Sequence, residues 1–250
     1  MRRAQRPRRV FFIAILIAAA ALATPAHAQD ISINLGGGQG GVTERAIQLI
    51  ALLTVLSIAP SILIMMTSFT RIVVVLSLLR TAMGTATAPP NAVIIALAMF
   101  LTAFVMGPVL TKSYDEGIKP LIANQITVEE ALQRASVPLR GFMQKNVREK
   151  DLKLFMDLSG EPPPATPEEM SLRILVPAFM ISELKRAFEI GFLLFLPFLI
   201  IDLVVASVLM SMGMMMLPPV VVSLPFKLIF FVLVDGWSLV AGSLVQSYGT

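Results

Sequence analysis

IGFLLFLPFLIIDLVVASVLMSMGMMML, residues 190–217, decides the fold class. A helix needs roughly 20 predominantly apolar residues to cross about 30 Å of hydrocarbon, and this run is long enough. Only Pro197 and Asp202 interrupt it before the methionines. Three other apolar blocks share its character and read as helices by length. They are Ala46 to Leu79, interrupted by Pro60 and Arg71; Asn91 to Leu110; and Val220 to Val245, which carries Lys227 and Asp235.

The composition of the whole chain agrees. Its 250 residues are 56% hydrophobic and 14% charged, with a mean hydropathy of +0.81, far too apolar for an ordinary soluble domain. Lipid or other protein must solvate most of it. The expected architecture is an all-α membrane protein: two helical hairpins with broken helices and one small, polar, helical insertion.

Outward from these blocks, the N-terminus reads as a targeting segment. Arg2, Arg3, Arg6, Arg8 and Arg9 precede an apolar run from Val10 to Leu22 and then Ala26-His27-Ala28. This is the layout of a signal peptide over 1–28, cleaved between Ala28 and Gln29. The run is too short for a retained first membrane helix. Arg8-Arg9 would suit a twin-arginine signal, but that route carries prefolded cargo and fits a polytopic membrane protein badly.

Cleavage lowers Lys+Arg from 20 to 15 against 16 Asp+Glu, so the formal net charge moves from +4 to −1. The pI of 9.7 is therefore largely a property of the signal, and no nucleic-acid partner is expected. The chain has no cysteine and its single histidine is His27. The mature chain thus lacks the usual zinc and copper ligands and the commonest general base, so no metal, cofactor or catalytic residue is expected. The segment 29–43 contains Gly36-Gly37-Gly38-Gln39-Gly40-Gly41 and reads as flexible. A phosphate-binding loop would need a preceding strand and a Lys followed by Ser or Thr.

The apolar blocks set the remaining boundaries: a first hairpin over 44–111, a polar periplasmic insertion over 112–187, and a second hairpin over 188–250. With the mature N-terminus outside, Arg71 and Arg80 fall at the cytoplasmic turn, as the excess of basic residues on that side requires. Within the insertion, Thr127-Val128-Glu129-Glu130 has capping-box spacing for a helix start. The proline-rich run 161–167 is a stiff linker.

Pro60, Pro108, Pro197 and Pro225 all lie in or beside apolar blocks, where each frees a carbonyl that lipid cannot satisfy. Asp202 and Lys227 each cost at least about 2.5 kcal/mol at bilayer depth. Such faces belong inside an assembly. Asp202 and Lys227 can be a structural ion pair between adjacent helices, or a polar lining or proton relay. Glu183, Lys185, Arg186 and Glu189 can form a solvated helix entrance, an interfacial belt or a contact with another subunit, and the last is favoured. Met210, Met212, Met214, Met215 and Met216 crowd around Gly213 and Pro218. Soft, unbranched methionines can close around surfaces of different shape. Core packing is the plainer alternative, and a copper site lacks supporting His or Cys.

These residues also carry a family resemblance. Phe179 to Phe192, Pro197 to Leu203, Ala206 to Met210, Gly213 to Pro219, Leu224-Pro225-Phe226-Lys227, Val234-Asp235-Gly236-Trp237 and Thr67 through Arg80 resemble the flagellar biosynthetic FliP family, with similarity running from about Leu49 to Ser247 and Met212 standing where the family has another apolar residue. The resemblance implies a core subunit of the flagellar type III export gate, in the inner membrane at the basal body and with a periplasmic portion. It implies a pentameric helical ring of this chain with FliQ and FliR, contacts with other export-apparatus membrane proteins, and a channel for unfolded protein substrates. On this resemblance Met214, Met215 and Met216, with Met210 and Met212 beside them, match a channel gasket. Arg148, Glu183, Lys185, Asp202 and Lys227 match charged gate or assembly positions. The rival readings are a small transporter using Asp202 and Lys227 as a coupling site, for which the chain shows no inverted repeat, and an intramembrane hydrolase, for which Asp202 and Asp235 are too isolated.

Overall fold

The computed structural model describes residues 42–85, 87–160, 166, 170–214 and 216–249. The expected signal peptide and cleavage site, the glycine-rich run, Met215 and nearly all of the proline-rich run lie outside them. By Cα packing the chain divides at Ala51–Leu52. On the N-terminal side, the described residues 42–51 are helical and begin α1 (Val42–Met65).

The unit from Leu52 onward is all helical among its described residues. After α1 come α2 (Phe69–Ala82), α3 (Asn91–Ser113), a π-helical turn (Tyr114–Ile118), α4 (Lys119–Ile122), α5 (Val128–Asn146) and α6 (Glu149–Ser159). The chain ends with α7 (Leu172–Ser211), α8 (Pro219–Leu233) and α9 (Gly236–Gln246). Helix α7 is the spine: α2 makes the most extensive packing against it, and α5, α6 and α8 also dock on it. Its 40 residues span about 60 Å, twice the hydrocarbon thickness.

Among the described residues, two helices, Asn91–Ile122 and Leu172–Ser211, are long and apolar enough to cross a membrane. The pair α8 and α9, bent by 63°, would make a third crossing as a broken span. Helices are broken as the sequence suggests, but at other residues. Pro60, Pro108, Pro197 and Pro225 all lie inside continuous helices. The first apolar block breaks instead at Thr67, whose hydroxyl donates to Ile64 O at 3.0 Å and accepts from Phe69 N at 3.4 Å. The last block breaks at Asp235, which holds a left-handed φ of 50°, a conformation that a short polar side chain tolerates.

At the start of α5, Thr127 accepts from Glu130 N at 3.3 Å. The reciprocal half of the capping box is absent, because the Glu130 carboxylate pairs with Arg134 one turn on.

Two hydrophobic cores form. One joins Ile72, Val75, Leu76 and Leu79 of α2 to Ala98, Ala187, Phe198, Phe231 and Leu244. The other joins Met66, Met106, Leu139, Met143, Ile174, Leu175 and Phe179. Along α7, Phe179 belongs to the second core and Ala187 to the first, with Ser182 and Glu183 buried between them.

The structure overturns the four-span layout. In that layout Arg71 marks the cytoplasmic turn and Glu183 the periplasmic side, about 30 Å apart across the hydrocarbon. Instead Arg71 Nε donates to Glu183 Oε2 at 2.9 Å. Arg71, only 1% exposed, is not a loop charge, so it cannot orient the chain by the positive-inside rule.

Close packing of α2 on α7 depends on Gly191, where a Cβ would lie 2.3 Å from Leu78 Cδ1. Gly191→Val should lower stability by about 1–3 kcal/mol through overpacking, and Leu78→Ala should restore part of the loss. Thermal unfolding of the detergent-solubilised single and double variants measures both effects.

Candidate functional site

Among the described residues, two ion pairs tie α7 directly to α2 and α8, and a third, at the start of α6, is held to it through Ser182. The innermost begins with Arg71, one position before the core residue Ile72. Its guanidinium grips the Glu183 carboxylate through two hydrogen bonds, from Nε and Nη2. Nη1 donates to Ser247 Oγ at 2.9 Å. The same guanidinium lies 3.8 Å from the centre of the Tyr248 ring, a cation–π contact strengthened by exclusion of water. The Tyr248 hydroxyl donates to Glu183 Oε2, and its ring stacks on Phe142 at 5.8 Å. Glu183 is fully buried yet accepts three hydrogen bonds, the condition under which a carboxylate can stay inside a protein. Burial first, then the neighbouring Glu183 charge, pushes the Tyr248 phenol above its usual range, so it remains a donor.

The second tie, at Asp202, lies about three-quarters of the way along α7. Lys227 Nζ donates to Asp202 Oδ2 at 2.7 Å and to Ala82 O at 3.2 Å. Ala82 is the last residue of α2, so the ammonium satisfies a carbonyl that the helix end leaves open. Ser223 donates to the other Asp202 oxygen. One buried lysine thereby joins α2, α7 and α8.

At the third tie, Arg148 Nε and Nη2 donate to the Asp151 carboxylate at 2.8 and 3.0 Å. Ser182 Oγ donates to the same carboxylate at 2.6 Å and accepts from Arg148 N at 3.0 Å. This fastens the start of α6 to α7 next to Glu183. Burial raises the Asp151 pKa, but the hydrogen bonds from Arg148 and Ser182 outweigh it and hold the carboxyl below the usual range.

Of the five charged positions singled out from the sequence, Asp202 and Lys227 meet each other. Glu183 turns into its own chain, whereas Lys185 stays exposed beside Glu189 at 3.5 Å. Arg148 pairs with Asp151. Sequence reasoning missed Arg71 and Tyr248 as partners of Glu183, and Ser247 as a partner of Arg71. The available signal was an arginine in the middle of an apolar block, which calls for a buried acid.

The methionine loop joins α7 to α8. Met210, Met212, Met214 and Met216 are all exposed, Met216 to 99%, so core packing within the chain does not account for them.

Replacing Arg71 with Met or Glu183 with Gln should each destabilise the protein by about 3–5 kcal/mol, because one buried charge is left unpaired. The double variant should lose less than the sum, and a double-mutant cycle of thermal unfolding reads the coupling. Asp151, whose carboxyl is held below 3.8, contributes stability above that pH. The contribution fades as pH falls through the folded-state value. Asp151→Asn should flatten the acid limb of a stability–pH profile.

Comparison with known proteins agrees with these elements. A sequence model described as "FliP family" matches residues 52–244. The flagellar biosynthetic protein FliP of Caulobacter vibrioides is 62% identical over 249 residues, covering 98% of this chain and 93% of the relative. The Agrobacterium fabrum protein of the same name is 51% identical, covering 94% and 97%. The Bacillus subtilis protein is 56% identical, covering 82% and 93%. With the family match covering most of the chain and these relatives at least half identical to it, the chain belongs to the FliP family.

Proposed function

We propose that this chain is a core subunit of the flagellar type III export gate, assembled as a ring of copies with FliQ and FliR around a channel for unfolded proteins. The observation that carries this reading is α7: a spine about twice the membrane thickness, internally braced by buried ion pairs and ending in an exposed methionine loop. Family membership supplies the flagellar context.

Apolar exposure supports assembly. Phe188, Phe192, Leu193, Leu199, Ile200, Leu203 and Val204 along α7 are exposed in the single chain, as are Val232 and Leu233 at the end of α8. Lipid can cover part of this surface, and neighbouring copies or other export-apparatus membrane proteins cover the rest. The Asp202–Lys227 pair acts as a brace in this reading, since both charges already find partners within the chain. Lys185 and Glu189 face outward and suit a contact between subunits. No chemistry is performed on the transported protein.

Met210, Met212, Met214, Met215 and Met216 form the gasket. Loops from several copies constrict the channel, exclude ions at rest and yield around a passing chain, because methionine changes rotamer with little strain. Replacing Met214, Met215 and Met216 with Gly should increase ion leak through the assembled gate severalfold while the native mass in mild detergent stays that of the multi-subunit complex. An unchanged leak in an intact assembly removes the gasket. A chain that remains monomeric with its candidate partners removes the ring and favours a small transporter.

A further inference from the structure

A cleft between α3 and α5 belongs to none of the three ties. Val105, Pro108, Val109 and Lys112 line one wall, spaced along one face of α3, while Pro138, Gly141, Phe142 and Lys145 line the other along one face of α5. Its volume of about 370 Å³ falls within the range of small-molecule sites. The floor is apolar, with Val105 buried and the Tyr248 ring stacked behind Phe142. Polar groups gather at the rim, where Lys112 and Lys145 are both exposed. Among the described residues, neither lysine has a carboxylate within ion-pair distance; the nearby Asp115 pairs with Lys119 at 3.8 Å.

Lys112 lies in the last turn of α3, itself the apolar part of a potential membrane span. Two cations without a carboxylate partner among the described residues, above an apolar cleft and just past the apolar run of such a span, match an anionic amphiphile at the membrane interface. We propose that this cleft binds an anionic phospholipid, with an acyl chain against Val105, Pro108 and Phe142 and the phosphate at Lys112 and Lys145. A free phosphate would use the lysines and leave the apolar floor empty. A neighbouring copy of the chain would need acidic groups to meet them.

Gly141 provides a block that leaves the lysines untouched. It lines the cleft, and a Cβ added there meets nothing within 4 Å, so the side chain of Gly141→Leu starts from open space and fills part of the cleft. The test is native mass spectrometry of the full chain in mild detergent, titrated with phosphatidylglycerol or with phosphatidylcholine of the same acyl chains. Phosphatidylglycerol should bind preferentially. Its affinity should fall about thirtyfold in Lys112→Ala/Lys145→Ala, the effect of two interfacial lysines, and at least tenfold in Gly141→Leu. Circular dichroism melts matching the parent establish that both variants are folded. Equal binding of the two lipids, an unaltered affinity in either folded variant, or displacement by millimolar inorganic phosphate overturns the proposal. Loss of lipid binding on assembly, with the cleft lysines cross-linking to a second copy, overturns it in favour of a subunit contact.

Discussion

Everything else in this fold is arranged around one buried contact, Arg71 with Glu183. An ionised carboxylate and a guanidinium, both essentially without solvent, must recover from each other and from near neighbours what water would supply. The structure meets that demand with a two-bond grip, a hydroxyl of Ser247 that accepts from Arg71, a hydroxyl of Tyr248 that donates to Glu183, and the face of the Tyr248 ring. Each group comes from a different stretch of sequence: α2, α7 and the residues after α9. The pair consequently fixes the position of α2 along α7. Sliding either helix by one turn would leave both charges unpaired, a larger penalty than any single apolar contact could offset. Such a pair adds little net stability over an apolar equivalent but selects one register.

Once that register is set, the other ties follow. Ser182, next to Glu183, holds Asp151 and so seats α6. Asp202, five helical turns further along, holds Lys227, which closes the end of α2 and seats α8. The two hydrophobic cores lie on either side of the Glu183 level and are joined through it. Lysine and arginine here act as internal connectors. The outward surface of the same helices is left apolar, which suits a chain whose remaining neighbours are lipid and protein.

Much of this was legible in the sequence. Long apolar blocks gave an all-helical membrane protein, and the spacing of Asp202 and Lys227 on consecutive blocks made an ion pair a natural reading, which the 2.7 Å contact realises. The capping residue of α5 was also legible, because Thr127 acts through a local bond. Three features were not. Hydropathy counts Arg71 only as an interruption, so its partner 112 residues away could not be found, and the topology built on it failed. A proline in an apolar block reads as a break, yet a long helix packed on several sides carries Pro177 and Pro197 without ending. The boundary set at residues 187 and 188 follows a change in polarity, whereas α7 runs straight through it: a polar start and an apolar end belong to one continuous helix.

The central claim is that the first apolar block and the charged start of α7 lie at the same level, side by side, and not on opposite faces of a membrane. Thr70 and Met180 sit at that level, with Thr70 Oγ1 3.7 Å from Met180 Sδ. Because the chain contains no cysteine, a Thr70→Cys/Met180→Cys variant carries only the two introduced thiols. In native membranes, a short thiol cross-linker should join them within one chain, and impermeant reagents should reach both from the same side or neither. Efficient labelling of the two thiols from opposite faces, with no intrachain cross-link, would contradict the account.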